Sequence, residues 1–238
     1  MKLSIVIPCY NESKDIKAKT EVVLTKLNSM NLDYEVILVN DGSKDNTQEV
    51  INSIPGVVHS GYEINRGKGG AVKQGILDAT GDFVLFMDAD LSTDLSAIDT
   101  LLPMLETETF VIGSRHHKNS QIPIKQPAKR RFIGWCCRKL VNAKFHFHYS
   151  DTQCGFKCIK SDFAKKMVEK QIVNGFAFDV EYLYIAKLNG VKVAEMPIIW
   201  RDDRGSTVSP LKSSIKFFKD MKVIKKNKKN YQIGRAHV

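Results

Sequence analysis

The sequence predicts an α/β domain built on a mainly parallel central sheet with helices on both faces. Three observations point there. Short apolar, β-branched runs alternate with longer polar stretches, turn residues sit at the junctions, and polar groups gather at the carboxyl ends of three candidate strands. Leu3–Ile7, Tyr34–Val39, Val57–His59, Phe83–Met87 and Phe110–Ile112 read as strands, and Phe83–Met87 is apolar enough to be buried on both faces. Between them, Lys14–Met30, Asp45–Ser53, Gly69–Thr80 and Leu95–Leu105 read as helices, with Asn40-Asp41-Gly42-Ser43 and Thr80-Gly81-Asp82 as turns.

After Arg115 the rhythm changes. A polar, Pro-containing loop (His116 to Pro127) precedes an amphipathic stretch with Phe132, Trp135, Phe145, Phe147 and Tyr149. Phe156–Lys160, Phe178–Leu188 and Val191–Ile199 then read as strand, helix and strand. The expected organisation is one domain over residues 1–210, a basic amphipathic helix over 211–232, and a tail over 233–238. That tail, Ile-Gly-Arg-Ala-His-Val, matches a reading-frame translation of a common sequencing-adapter oligonucleotide and is expected to be non-native. There is no internal repeat.

Of 238 residues, 43% are hydrophobic and 26% charged, which excludes a collagenous, low-complexity or largely disordered chain. Five cysteines, an odd number, do not suit a disulfide scaffold and suggest a reducing compartment. No run approaches the ~20 apolar residues of a spanning helix, and the chain enters its first strand with no room for a signal peptide. The net charge of +10 is uneven: residues 1–114 hold 9 Lys/Arg against 17 Asp/Glu, whereas Arg115 to Lys144 has 9 basic residues and no acidic one. From Leu211 to Asn230 there are 8 Lys and one Asp, interleaved with Leu211, Ile215, Phe218, Met221 and Ile224 at helical spacing. Such a helix suits an anionic membrane surface, or packs its stripe on the domain core. The acidic first half argues against a general nucleic-acid surface.

In open α/β sheets ligands bind beyond the carboxyl ends of strands. Here those ends carry Pro8-Cys9-Tyr10-Asn11-Glu12, Asn40-Asp41-Gly42-Ser43 and Asp88-Ala89-Asp90. Residues two apart on an extended chain point the same way, so Asp88 and Asp90 can converge on one hard divalent cation. Alone, Asp-x-Asp is common at helix caps and surfaces; its place after a buried strand favours the metal. Asn65-Arg66-Gly67-Lys68-Gly69-Gly70-Ala71 opens a helix with backbone amides and Lys68 able to hold phosphate, yet it is neither a P-loop nor a dinucleotide fingerprint. His116-His117, His146-x-His148 and Cys154-x3-Cys158 lack a second ligand pair at zinc-like spacing. Asp179 and Glu181, two apart in a helix, do not share a face. Trp135, Phe145 and Phe147 read as core or interface, or with Arg138 and Lys139 as a lipid-headgroup contact.

Together these residues resemble glycosyltransferase family 2 on a GT-A fold. The opening Ile5 to Glu12, Asn40 to Ser43 and Asp88-Ala89-Asp90 match the family pattern. Asn65 to Ala71, Gly113-Ser114-Arg115, Asp151 to Lys157, Phe178 to Glu181 and Gly205-Ser206 resemble its dolichyl-phosphate β-glucosyltransferase branch. By that resemblance Pro8, Tyr10, Glu12 and Asp41 line the nucleotide site, Lys68 lies near the donor phosphates, and Asp88 and Asp90 surround Mg²⁺ or Mn²⁺. Arg115, Arg201 and Arg204 are candidates for the acceptor phosphate or leaving diphosphate, and Asp151 and Gln153 border sugar and acceptor, Asp151 as a base or an orienting group. Two positions depart from the pattern: Asn40 replaces an Asp often found there, and Thr207 stands where relatives often carry Lys.

The implied reaction is an inverting displacement moving a sugar, with UDP-glucose the first expectation as donor and a polyprenyl or dolichyl phosphate as acceptor. The enzyme is expected in the cytoplasm, peripherally on the inner face of a membrane. The alternatives are a GDP-mannose-dependent enzyme of the same chemistry, a family 2 transferase acting on a glycan acceptor, and a non-catalytic anion- or nucleic-acid-binding protein. Only the net charge favours the last.

Overall fold

A computed structural model describes residues 1–124, 126–202 and 210–234, with side chains of the last helix described from Ile215 onward. In chain order, β1 (Lys2–Cys9), α1 (Ile16–Asn28), β2 (Asp33–Asp41), α2 (Thr47–Asn52), β3 (Val58–Tyr62), α3 (Lys68–Asp78), β4 (Phe83–Phe86), α4 (Ala97–Met104) and β5 (Phe110–Ser114) follow the expected alternation. Then come β6 (Gln121–Ile124), α5 (Ala128–Phe145), β7 (Lys157–Lys160), α6 (Ser161–Lys170), α7 (Phe178–Leu188), β8 (Val193–Pro197), β9 (Ile199–Arg201) and α8 (Pro210–Lys226), closed by a 3₁₀ turn at Asn227–Tyr231.

Seven strands form one sheet in the order β3-β2-β1-β4-β7-β5-β8. All are parallel except β7, which runs antiparallel to both β4 and β5. β1 lies between β2 and β4, so the chain order reverses there and a crevice opens at the carboxyl ends of these strands. β4, Phe-Val-Leu-Phe, is buried at every position, as a central strand covered on both sides requires.

The alternating side chains of the sheet feed two cores. Leu3, Ile5, Ile7, Val36 and Leu38 pack with α1, α2 and α4 on one face. Val6, Ile37, Val39, Val84 and Phe86 pack with α3, α6 and α7 on the other. α7 is buried from Phe178 to Ala186, and Phe86 meets Phe178 and Tyr182 at centroid distances of 5.7 and 6.1 Å.

The second half differs from expectation in three ways. The loop after Arg115 contains β6, an edge strand that admits Pro123 because it pairs only with β9. The segment Val191–Ile199 is two strands, since Pro197 has no N–H with which to continue the ladder. α6 buries Phe163, Ala164, Met167 and Val168, an i, i+1, i+4, i+5 stripe.

α8 turns Phe217, Met221 and Ile224 into the core, and Tyr231 follows them. Its apolar stripe is therefore occupied by the domain, leaving Lys216, Lys219 and Lys222 with exposed Ile215 on the outer side. No helix among the described residues is long and apolar enough to cross a membrane.

Candidate active site

The ends of β1 and β2 are laced together. The Asn11 amide donates to Ser43 Oγ (3.0 Å), the Lys44 amide to Asn11 Oδ1 (2.8 Å), and the Glu12 amide to Thr47 Oγ1 (2.8 Å). Pro8 and Glu12 are half-buried at this edge, while the Tyr10 ring is 41% exposed and free to meet a planar ligand. Asp41, at the end of β2, is buried and holds the loop that follows β3. Its carboxylate accepts from Tyr62 Oη (2.7 Å), Asn65 Nδ2 (3.0 Å) and the amides of Arg66 (2.9 Å) and Gly67 (3.0 Å). Two amides of the glycine-rich loop, those of Arg66 and Gly67, are thus taken up by Asp41. Gly67 sits at φ 97°, a conformation that glycine adopts without strain. Asn40, at the variant position, accepts from the Ser43 amide (3.0 Å) and donates to Gln48 Oε1 (2.8 Å), so it shapes the turn.

β4 delivers the paired carboxylates. Lys68, at the start of α3, donates to Asp88 Oδ1, and the Ser92 amide donates to Asp90 Oδ1 (2.9 Å). Burial, then the neighbouring charge of Asp88, raises the Asp90 pKa above the ordinary carboxylate value. Burial alone would lower the Lys68 ammonium, but the charges of Asp88, Asp179 and Asp90 outweigh it and hold its pKa above the usual value. Opposite Lys68 lies Gly155: a Cβ there would stand 2.0 Å from Asp88 Oδ2. Gly155→Ala is accordingly expected to displace the Asp88 carboxylate and weaken Mn²⁺ affinity about tenfold, with the fold intact. Calorimetric titration with Mn²⁺ checks this, and unchanged affinity would mean that Asp88 is not positioned by Gly155.

Beneath the carboxylates runs a buried ion pair that the sequence reading did not assign. Lys157 is fully buried in β7 and donates to Asp179 Oδ1 (2.6 Å) and to the Cys154 carbonyl. Burial pushes the Asp179 pKa up, while Lys157 and Lys68 pull it back. Asp179 thus faces the site from α7. Glu181 faces away, accepting from the Ile172 and Val173 amides (2.8 and 3.0 Å) and Tyr231 Oη (2.6 Å). Two residues apart on a helix, the pair divides as its spacing requires. The acidic Asp179-Val180-Glu181 at the start of an otherwise apolar helix was the available signal.

Arg115, just past β5, grips Asp151 through both carboxylate oxygens, at 2.7 Å from Nε and 3.0 Å from Nη2, and its amide adds a third bond at 3.1 Å. The Gln153 amide donates to the same carboxylate (3.2 Å). Although burial opposes ionisation, the Arg115 charge and its hydrogen bonds hold Asp151 well below the usual carboxylate range. Glu195 of β8, also missed, accepts from the Ser150 and Asp151 amides (2.9 and 3.1 Å) and fixes this turn. The Arg115 guanidinium lies 5.5 Å from the Trp200 ring. Arg201 points elsewhere, exposed and 3.6 Å from Asp94. Arg204 and Thr207 lie outside the described residues.

Asp88, Asp90 and Lys68 therefore converge, with Arg115, Asp151 and Gln153 beside them, whereas Arg201 does not join. The donor set suits a hard divalent ion: two carboxylates at one strand end, one with its proton affinity raised by the other. No cluster of three His, Cys, Asp or Glu is present among the described residues, so further ligands would be substrate oxygens and water. Cys154 and Cys158 are buried thiols.

The chain is similar to known proteins in both fold and sequence. Solved structures with the same fold include glucosyl-3-phosphoglycerate synthase from Mycobacterium tuberculosis, in complex with Mn²⁺, uridine diphosphate and glucosyl-3-phosphoglycerate (TM-score 0.68, 17% identity, 95% of this chain and 79% of that one). Mannosyl-3-phosphoglycerate synthase from Rubrobacter xylanophilus aligns at TM-score 0.71 and 17% identity, over 100% of this chain and 77% of that one. Those likenesses establish the GT-A fold. Among curated sequences, dolichyl-phosphate beta-glucosyltransferases are 32% identical: that of Dictyostelium discoideum over 92% of this chain and 72% of its own length, that of Homo sapiens over 94% and 75%. The Saccharomyces cerevisiae protein of that name is likewise 32% identical, over 94% and 74%. With strand-end carboxylates in place and residues 4–168 matching the family described as Glycosyl transferase family 2, the chain belongs to that family and is a glycosyltransferase.

Proposed function

We propose that the protein transfers glucose from UDP-glucose to a polyprenyl phosphate of the dolichyl type, with inversion, at the cytoplasmic face of a membrane. One observation carries this reading: Asp88 and Asp90 end a buried strand with Lys68 on one side and the Arg115–Asp151 pair beside them. Anion-binding groups thus flank a cation-binding pair, which suits a departing diphosphate next to an acceptor phosphate. The names of the curated relatives support the sugar and the lipid, and UDP with Mn²⁺ in a solved neighbour supports nucleotide and ion.

Pro8, Tyr10 and Glu12 line the base and ribose, and Asp41 fixes the loop that presents Lys68. Asp88 and Asp90 would hold Mg²⁺ or Mn²⁺, which when bound supplies charge neutralisation for the leaving diphosphate. Lys68 then faces the donor phosphates, and Asp179 steadies it. Arg115 receives the acceptor phosphate through the face not occupied by Asp151, with Gln153 at the sugar. Asp151, ionised and bonded at both oxygens, orients Arg115. A phosphate monoester with a second pKa near ~6 is already anionic at neutral pH, so positioning rather than proton removal is what the site must supply.

A panel of radiolabelled UDP-glucose, UDP-galactose and GDP-mannose with a short-chain polyprenyl phosphate tests this. Organic-extractable label from UDP-glucose is expected. Label from GDP-mannose alone would replace the donor, and transfer only to water-soluble acceptors would sink the lipid assignment.

A further inference from the structure

We infer that the first half of α5 is the surface that enters the lipid interface, which rests on the membrane-associated reading above and assigns it to particular residues. The 18-residue helix buries only Val141 and Phe145, both in its second half. Every residue from Ala128 to Trp135 is exposed, and a Cβ placed on Gly134 would meet nothing within 4 Å. Two turns of helix thus stand out from the body of the protein, with Arg130 reaching back to within 3.9 Å of Asp202.

Their side chains are the wrong ones for water. Phe132 is 65% exposed, Leu140 53%, Trp135 49% and Ile133 43%, and the Phe132 and Trp135 rings stack at 6.2 Å. Phe132 lies nine residues before Val141, which at 100° per residue is half a turn out of phase. The apolar face of α5 is therefore directed away from the core that its other face touches. An apolar face pointed outward needs a partner.

Charge and composition select that partner. α5 carries Lys129, Arg130, Arg131, Arg138, Lys139 and Lys144 and no acidic residue. Trp and Phe flanked by Arg and Lys suit the boundary between anionic headgroups and acyl chains, where aromatic rings settle and each cation adds ~1 kcal/mol of attraction. The helix also stands where such contact is useful. The excursion from 116 to 150 leaves the sheet after Arg115 and returns before Asp151, and those two residues are bonded to each other. Lowering α5 into a bilayer therefore brings lipid to the base of the excursion, beside the guanidinium assigned to the acceptor phosphate. α8 does not compete for this task with its apolar stripe, which is packed inside.

The test uses the full chain, phosphatidylcholine vesicles with and without phosphatidylserine, and Phe132→Ser/Ile133→Ser/Leu140→Ser. Wild type is expected to float with the serine-containing vesicles, with Trp135 emission shifted to the blue; comparison with Trp135→Phe isolates that signal. The triple variant is expected to bind at least about tenfold more weakly while keeping wild-type transfer to a water-soluble short-chain acceptor. Vesicle binding unchanged in the variant, or no flotation of wild type, would overturn the assignment. So would a wild-type dimer in sedimentation that the triple variant breaks, since a second copy would then cover this face. Vesicle binding that maps to α5 in a protein showing no transfer from any donor would support the surface and reject the proposed reaction.

Discussion

Asp90→Asn is expected to lower sugar transfer about 10³-fold or more, while the variant melts at or above the wild-type temperature. A charge that stabilises a departing diphosphate by about 4 kcal/mol corresponds to that factor. The stability arm follows from the raised pKa of Asp90, which burial and the charge of Asp88 push up. A carboxyl whose folded pKa exceeds its unfolded value costs stability once it is ionised in both states. Removing the charge is therefore favourable at neutral pH, and the gain fades as pH falls toward the unfolded value of about 3.9. The amide oxygen of Asn can still accept from the Ser92 amide. Mn²⁺ should raise the melting temperature of wild type and leave that of the variant unmoved, because only a bound ion shifts the folding equilibrium. Equal Mn²⁺ stabilisation of both proteins would remove Asp90 from the ion site.

Lys157→Met is expected to cost about 3–5 kcal/mol of stability, since it strands the buried Asp179 carboxylate on α7 without its partner. Lys157→Met/Asp179→Leu should recover most of that loss, because removing both members of a buried pair spares the unpaired charge. Urea midpoints of the two single variants and the double close the thermodynamic cycle. A coupling near zero would falsify the pairing. Transfer should stay low in the double variant even where stability returns: Lys68 loses the Asp179 charge that faces it opposite Asp88. Recovery of full turnover together with stability would make the pair purely structural.

The sheet was legible because its strands obey one rule. Five short β-branched runs separated by polar, helix-length stretches leave little freedom in topology, and Phe83–Met87 announced its central place by having no polar face. The antiparallel insertion of β7 was not legible, because strand direction depends on where the chain re-enters the sheet after a long excursion, which no local pattern records. Asp88 and Asp90 stood out by their spacing taken together with their place at the end of an apolar strand. The roles of Asp41 and Asp151 did not, because each is set by donors distant in sequence: Tyr62, Asn65 and the Gly67 amide for one, Arg115 for the other. Aromatic residues of one stretch also parted company. Phe145 and Phe147 went into the core and Phe132 and Trp135 to the outside, since the amphipathic pattern of α5 has apolar groups on two opposed faces. The C-terminal lysine stripe left two readings open for the reverse reason: a surface helix and a membrane-lying helix share one pattern until a partner for the apolar side is seen.

The clasp between Arg115 and Asp151 has a consequence for how such proteins diversify. A chain that departs and rejoins at bonded neighbours can vary at the exposed turns between them, while β6 on β9 and Val141, Phe145 and Phe147 in the core keep the excursion anchored. The catalytic frame and the exposed start of α5 are thereby separable, and exchanging residues 128–135 for another relative's should retarget the enzyme to a different lipid environment while its chemistry is inherited intact.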